Sequence, residues 1–236
     1  MSNSVKNPNQ SGKGFMWAII AVVVIAIVVI AGVVISNKGG KSREWEDVSF
    51  QAELVDGRVH LTSENADGST PKARVYEDFM CPHCAELAAA DGPALKDAAE
   101  KGDLDVEIAP LGFMDQFQDK SNTTGPSHQA LAAVLAALEE GGAADFWNMR
   151  AMLMENQTNV RGWDKGDYVD AAKELGVDGA VIDAIDSEKY MDKAAEVAKA
   201  NADVLQKETG EVSSPRVFID GKEIQVSNDW VEQYRR

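Results

Sequence analysis

The sequence predicts an α/β protein: a sheet whose strands flank an inserted block of helices, preceded by a single N-terminal transmembrane helix. Three observations predict it. Strand, helix and strand patterns follow one another at residues 73–79, 81–99 and 104–108, the spacing of a parallel βαβ unit. Between residues 115 and 209 the apolar period is helical, with Leu131, Val134, Leu135 and Leu138 on one stripe. Ahead of both, residues 15–35 run without a charge or a strongly polar group.

The chain has 236 residues, 39 acidic against 23 basic, and a formal charge of -16. That length suits one domain with a real core and appendages. The acidic balance argues against a nucleic-acid partner, because phosphate binding needs basic surface.

Residues 1–14 are polar and read as a short cytoplasmic tail. Residues 15–35 meet the ~20 apolar residues that cross a bilayer as a helix. The run exceeds the apolar core of a cleaved signal, and Val34-Ile35-Ser36 is a poor cleavage site, so an uncleaved anchor is expected. Lys6 and Lys13 on one side nearly balance Lys38, Lys41 and Arg43 on the other, so charge does not orient it. Residues 36–46 are a Gly/Lys/Ser linker, and the folded domain spans 47–236 with its helical insertion at about 115–209.

Within the domain, Val48, Phe50, Ala52 and Leu54 alternate with polar residues, Asp56-Gly57 is a two-residue hairpin turn, and Val59 and Leu61 resume the alternation. Residues 63–72 form a polar loop and 73–79 a buried central strand. The helix from Cys81 to about Ala99 should kink or restart at Gly92-Pro93. Leu104, Val106 and Ile108 form the next strand. Helices follow at 131–140, stopped by Gly141-Gly142, then at 143–157, 167–175 and 178–185. A long helix capped by Ser187 runs to Thr209 and ends at Gly210. Strands return at 216–219 and 224–226 around Asp220-Gly221, and residues 228–236 suit a closing helix.

The chemistry centres on Cys81-Pro82-His83-Cys84, which holds both cysteines of the chain. Pro82 falls in the first helical turn, where its missing N–H costs nothing. The N–H groups of that turn then favour a thiolate at Cys81, and a protonated His83 adds charge nearby. Cys81 is therefore expected to be an exposed, acidic thiol and Cys84 its covered partner. A redox-active dithiol is favoured. A passive disulfide is the bland alternative, but a ring this small is a poor staple. A zinc site lacks further cysteines and would have to recruit His60, His83, His128 or carboxylates. A c-type haem would need a histidine at position 85, where alanine stands. No metal and no separate cofactor are expected, the Cys81–Cys84 pair being the redox group.

Ser214-Pro215 precedes a strand. Beside the dithiol, a cis proline there would expose Ser214 backbone to an incoming peptide; alone, it reads as an ordinary strand start. Glu77 and Asp78 are either a buried proton acceptor beneath Cys84 or two solvated charges. His60 and His128 read as surface residues.

Residues 72–230 resemble the thioredoxin-like thiol:disulfide oxidoreductases of the DsbA type, in particular the single-pass, membrane-anchored group of Gram-positive and actinobacterial cell envelopes. The resemblance rests on Tyr76-Glu77-Asp78-Phe79-Met80-Cys81-Pro82-His83-Cys84, on Phe146-Trp147 with Gln157, on Glu174-Leu175-Gly176-Val177-Asp178, and on Ser214-Pro215 before Val217-Phe218-Ile219-Asp220-Gly221. It implies a thioredoxin fold with an inserted helical domain. Cys81 would be the nucleophile, Cys84 the resolving residue, His83 the thiolate stabiliser and Pro215 the cis proline. Many members carry a buried acid six residues before the first cysteine; here that residue is Val75, which leaves proton handling to Glu77, Asp78 or water.

The expected function is an extracytoplasmic oxidase that introduces disulfides into exported, reduced proteins and is reoxidised by a quinone-linked membrane partner. Disulfide chemistry places residues 36–236 outside the cytoplasm. The alternatives are a disulfide isomerase or reductase on the same fold, or a membrane-tethered chaperone with a passive disulfide.

Overall fold

The computed structural model describes residues 44–117 and 119–236. The tail and anchor expected at 1–14 and 15–35 lie outside the described residues, as does most of the linker. Among the described residues no helix is long and apolar enough to cross a membrane.

One six-stranded sheet runs in the order β1-β2-β4-β3-β5-β6. Its strands are β1 (Gln51–Val55), β2 (Arg58–Thr62), β3 (Lys72–Asp78), β4 (Asp105–Leu111), β5 (Arg216–Ile219) and β6 (Lys222–Ile224). β3 and β4 pair in parallel; every other neighbouring pair is antiparallel. β3 lies between two partners and its last four residues are all buried. The alternating β1 and β2 sit toward one edge, as a half-buried pattern requires.

Both hairpins are set by an Asp-Gly turn. Asp56 and Gly57 take φ of 50° and 79°, and Asp220 and Gly221 take 49° and 77°. Two residues of positive φ match the twist of the flanking strands. The second turn pairs Ile219 with Lys222, so β6 begins there rather than at Ile224 as expected.

The crossover from β3 to β4 is α1 (Pro82–Lys101). The restart expected at Gly92-Pro93 does not occur, and Pro93 lies inside one 20-residue helix. The face that buries Leu87, Asp91, Leu95 and Ala98 holds it against the sheet across the lost hydrogen bond.

The helical block comprises α2 (Pro126–Ala136), α3 (Ala143–Glu155), α4 (Gln157–Val160), α5 (Lys165–Leu175), α6 (Gly179–Asp186) and α7 (Met191–Thr209). α2 runs on into a π-turn over Ala137–Gly141. Ser187 does not cap the long helix. Its hydroxyl donates to the Asp183 carbonyl at 2.7 Å and so closes α6. Glu188 then turns the chain with a φ of 55°, and α7 starts only at Met191. A short α8 (Trp230–Tyr234) ends the chain and buries Trp230 completely. The last linker residue is docked: Glu46 N–H donates to Asn148 Oδ1 at 3.0 Å, and Asn148 Nδ2 donates back to Glu46 O at 2.7 Å.

Candidate active site

The parallel pair delivers the site. β3 ends at Asp78, a tight turn follows, and α1 begins at Pro82 with Cys81 as its N-cap in extended conformation. The Cys81 N–H donates to Asp78 O at 3.0 Å, and Cys81 O accepts from the Cys84 N–H at 3.0 Å. From the helical block, Gln157 Nε2 donates to Phe79 O at 2.8 Å and to Cys81 O at 2.9 Å. Arg161 donates to Met80 O at 3.0 Å. The turn is thus held from the insertion as well as from the sheet.

Cys81 and Cys84 are both thiols here, and the loop before β5 covers them. Cys81 Sγ lies 3.3 Å from Ser214 O, and Cys84 Sγ lies 3.1 Å from Ser214 Oγ. The Ser214–Pro215 bond is cis. Cys81 is 5% exposed and not the open thiol that the sequence suggests. The reason is that Ser214 carbonyl, on a loop 133 residues away in the chain, sits directly on its sulfur.

The two thiols differ in acidity. Hydrogen bonding from Cys84, aided by Ser214 and the N–H groups of Cys84 and His83, lowers Cys81 to about 5. Burial pushes Cys84 well above the ordinary thiol range, and the neighbouring Cys81 adds to this. A helix N-terminus supplies donors to the first sulfur, and the apolar interior withholds solvent from the second. His83 itself points outward. Its side chain is 76% exposed, and Nδ1 lies 3.0 Å from Glu86 Oε2. Glu86 raises the imidazole pKa more than Cys81 does.

Glu77 and Asp78 are both buried, so the solvated alternative is ruled out. Glu77 forms a two-pronged ion pair with Arg150 of α3, at 2.8 Å and 2.5 Å. Asp78 accepts from Met80 N at 2.9 Å, Met114 N at 3.1 Å and Ser127 Oγ at 2.7 Å. Burial raises its carboxyl to about 6. Its own N–H donates to Cys84 Sγ at 3.4 Å. Asp78 therefore splints the redox turn to the start of α2.

His128 is not a surface residue. It is 1% exposed, and its Nδ1 lies 2.7 Å from Asp115 Oδ2. Asp115 also accepts the Ser127 and His128 N–H groups at the α2 N-terminus, both at 3.0 Å. Gly112 is needed here because a Cβ would stand 2.4 Å from the imidazole. His60 is half-buried on β2, 3.8 Å from Glu107 and outside the site. Sequence reasoning missed Arg150, Asp91 and Ser127. A charged residue inside the apolar Phe146–Met154 run, and an acid on the inward face of α1, were the available signals.

A thioredoxin-type sheet carrying a Cys-x-x-Cys helix start opposite a cis-proline loop defines a dithiol–disulfide exchange protein. The model of the family described as thioredoxin matches residues 67–235. Among solved structures, the MdbA protein of Corynebacterium diphtheriae, a thiol-disulfide oxidoreductase, is 39% identical; the match covers 81% of this chain and 96% of that one, with a TM-score of 0.75. The MdbA thiol-disulfide oxidoreductase of Corynebacterium matruchotii is 34% identical, over 81% and 94%, also at 0.75. Oxidised DsbA of Mycobacterium tuberculosis shares the fold, at 23% identity over 75% and 92% and a TM-score of 0.57. No curated protein matches the chain. The chain belongs to the thioredoxin family and is a thiol-disulfide oxidoreductase resembling the MdbA and DsbA proteins.

Proposed function

We propose that this protein is an extracytoplasmic thiol:disulfide oxidase, held by a transmembrane anchor at residues 15–35, that donates the Cys81–Cys84 disulfide to reduced exported proteins. The observation that carries the reading is the opposed acidity of the two sulfurs, Cys81 near 5 and Cys84 raised. A substrate thiolate attacks Cys81 Sγ, the Cys81–Cys84 bond breaks, and Cys84 leaves and takes a proton. A second substrate thiolate then attacks the substrate sulfur of the mixed disulfide and expels Cys81 as a stabilised thiolate. The substrate dithiol has lost two electrons and the enzyme dithiol has gained them. A good leaving group at Cys81 makes the disulfide a strong oxidant.

Ser214 offers its backbone to the substrate chain, and Pro215 keeps an N–H away from the sulfurs. Pro82 starts the helix whose N–H groups, with a protonated His83, favour the Cys81 thiolate. No further cofactor takes part; a quinone-linked membrane partner restores the disulfide. Neither Glu77 nor Asp78 suits a base for Cys84, since Arg150 holds both oxygens of one and three donors hold the other.

In the test, the oxidised protein is mixed with an unfolded, reduced substrate carrying two cysteines. Near-stoichiometric loss of substrate thiols, with the enzyme recovered reduced, is expected. Substrate left reduced beside oxidised enzyme would reject the reading.

A pH signature accompanies it. Cys81 titrates near 5 when folded and near 9 in an ordinary setting. The depressed value stabilises the folded dithiol form fully above about 9, and that stabilisation is lost as pH falls through about 5. The disulfide form has no such group. The melting-temperature advantage of reduced over oxidised protein is therefore expected to shrink steadily from pH 9 to pH 5. A gap independent of pH would contradict an acidic Cys81.

A further inference from the structure

Behind Cys84 lies a second set of buried ionisable groups that the exchange steps do not use. A narrow cleft is lined by Cys84 and Asp91 of α1, Glu77 of β3 and Arg150 of α3, and Pro215 closes it from the loop side. Asp91 is 3% exposed. It stands seven residues after Cys84, two helical turns along the same face, about 10 Å between the Cα atoms. Side chains on a helix tilt toward its N-terminus, so the carboxylate leans toward Cys84.

The charges in this cleft do not balance. Glu77 and Arg150 cancel each other through their paired contacts. Asp91 is left over. Among the described residues its only side-chain donor is Trp230 Nε1, at 2.6 Å. Glu232 of α8 is exposed and paired with Arg235, and at the start of α1 the other ionisable groups are Cys81 and the exposed His83–Glu86 pair. Lys96, Asp97 and Glu100 line a neighbouring groove further along the helix, which Arg150 also borders. Burial raises the Asp91 carboxyl to about 6, within reach of a proton at neutral pH.

We infer that Asp91 is a positioning residue for the proton of Cys84: in the cleft they share, a negative charge on Asp91 disfavours one on Cys84, and the reverse. When Cys84 is expelled as a thiolate, the Asp91 carboxylate is driven toward taking up a proton from solvent. When Cys84 regains its own proton, Asp91 returns its proton to solvent. The reverse order runs during reoxidation. The inference rests on the dithiol-exchange reading, but its test needs neither a substrate nor a partner, so the two can fail separately.

The experiment uses the full chain with Cys81→Ala, which leaves Cys84 as the sole thiol. Its ionisation is followed by thiolate ultraviolet absorbance against pH, with and without Asp91→Asn. Asparagine keeps an oxygen for Trp230. Removing the charge should lower the Cys84 titration by about one unit, giving roughly tenfold more thiolate at a fixed pH. Asp91→Ser, which still offers a hydroxyl oxygen to Trp230, should give the same displacement even if one variant folds poorly. A purely structural Asp91 would alter melting but leave the titration in place. Superimposed titration curves, or a shift upward, would overturn the inference.

Discussion

Cys84→Ser is expected to convert the protein into a trap. The Cys81 thiolate then attacks a substrate disulfide, expels one substrate thiolate and forms a mixed disulfide that no internal thiol can resolve. Covalent adducts should accumulate on a non-reducing gel and vanish with reductant. Cys81→Ser should form none and lose disulfide transfer entirely, since burial disfavours the Cys84 thiolate. The asymmetry follows from where the donors lie. The α1 N–H groups and Ser214 serve Cys81, while Cys84 meets the interior. Equal trapping by both variants would mean that either sulfur serves as the nucleophile, against their opposed acidities. No trapping by Cys84→Ser would remove Cys81 as the exchanging sulfur.

Arg150→Met is expected to cost about 3–5 kcal/mol of folding stability, measured by chemical denaturation. Arg150 and Glu77 are each 3% exposed, and the guanidinium holds both carboxylate oxygens. Taking away one partner leaves the other charged, buried and uncompensated. The pair joins the helical insertion to the central strand two residues before the redox turn, so the loss should also loosen the site. Replacing both together, Glu77→Leu with Arg150→Met, should cost clearly less than the single change, because no orphan charge remains. If the double variant were as unstable as the single one, the ion pair would not be the source of the cost.

Much of this was legible in the sequence because the signals were local. Two Asp-Gly turns, the 73–79 run and the helix opening at Pro82 need only nearest neighbours to be read. The covalent heart of the site is four consecutive residues, and its companion Ser214-Pro215 carries its own signature. What escaped depended on contacts between distant segments. Cys81 is covered because a loop 133 residues away lies on it. His128 is buried because Asp115, on the turn after β4, closes over it. Pro93 fails to break α1 because packing on the sheet outweighs one missing hydrogen bond. The fates of Glu77 and Asp78 turned on Arg150 and Ser127, which no spacing rule ties to the cysteines. Ser187 was misassigned because a serine between two helices can close the first as well as open the second.

The central claim is that the Cys81–Cys84 pair is built to give its disulfide away. The measurement that tests it most directly is the reduction potential of the pair, equilibrated against glutathione. An acidic Cys81 stabilises the reduced form, so the potential should lie at least about 60 mV above the roughly −270 mV of thioredoxin, a hundredfold or more in the exchange equilibrium. A value at or below that of thioredoxin would mean that the disulfide is kept or the protein reduces others, and would contradict the oxidase account.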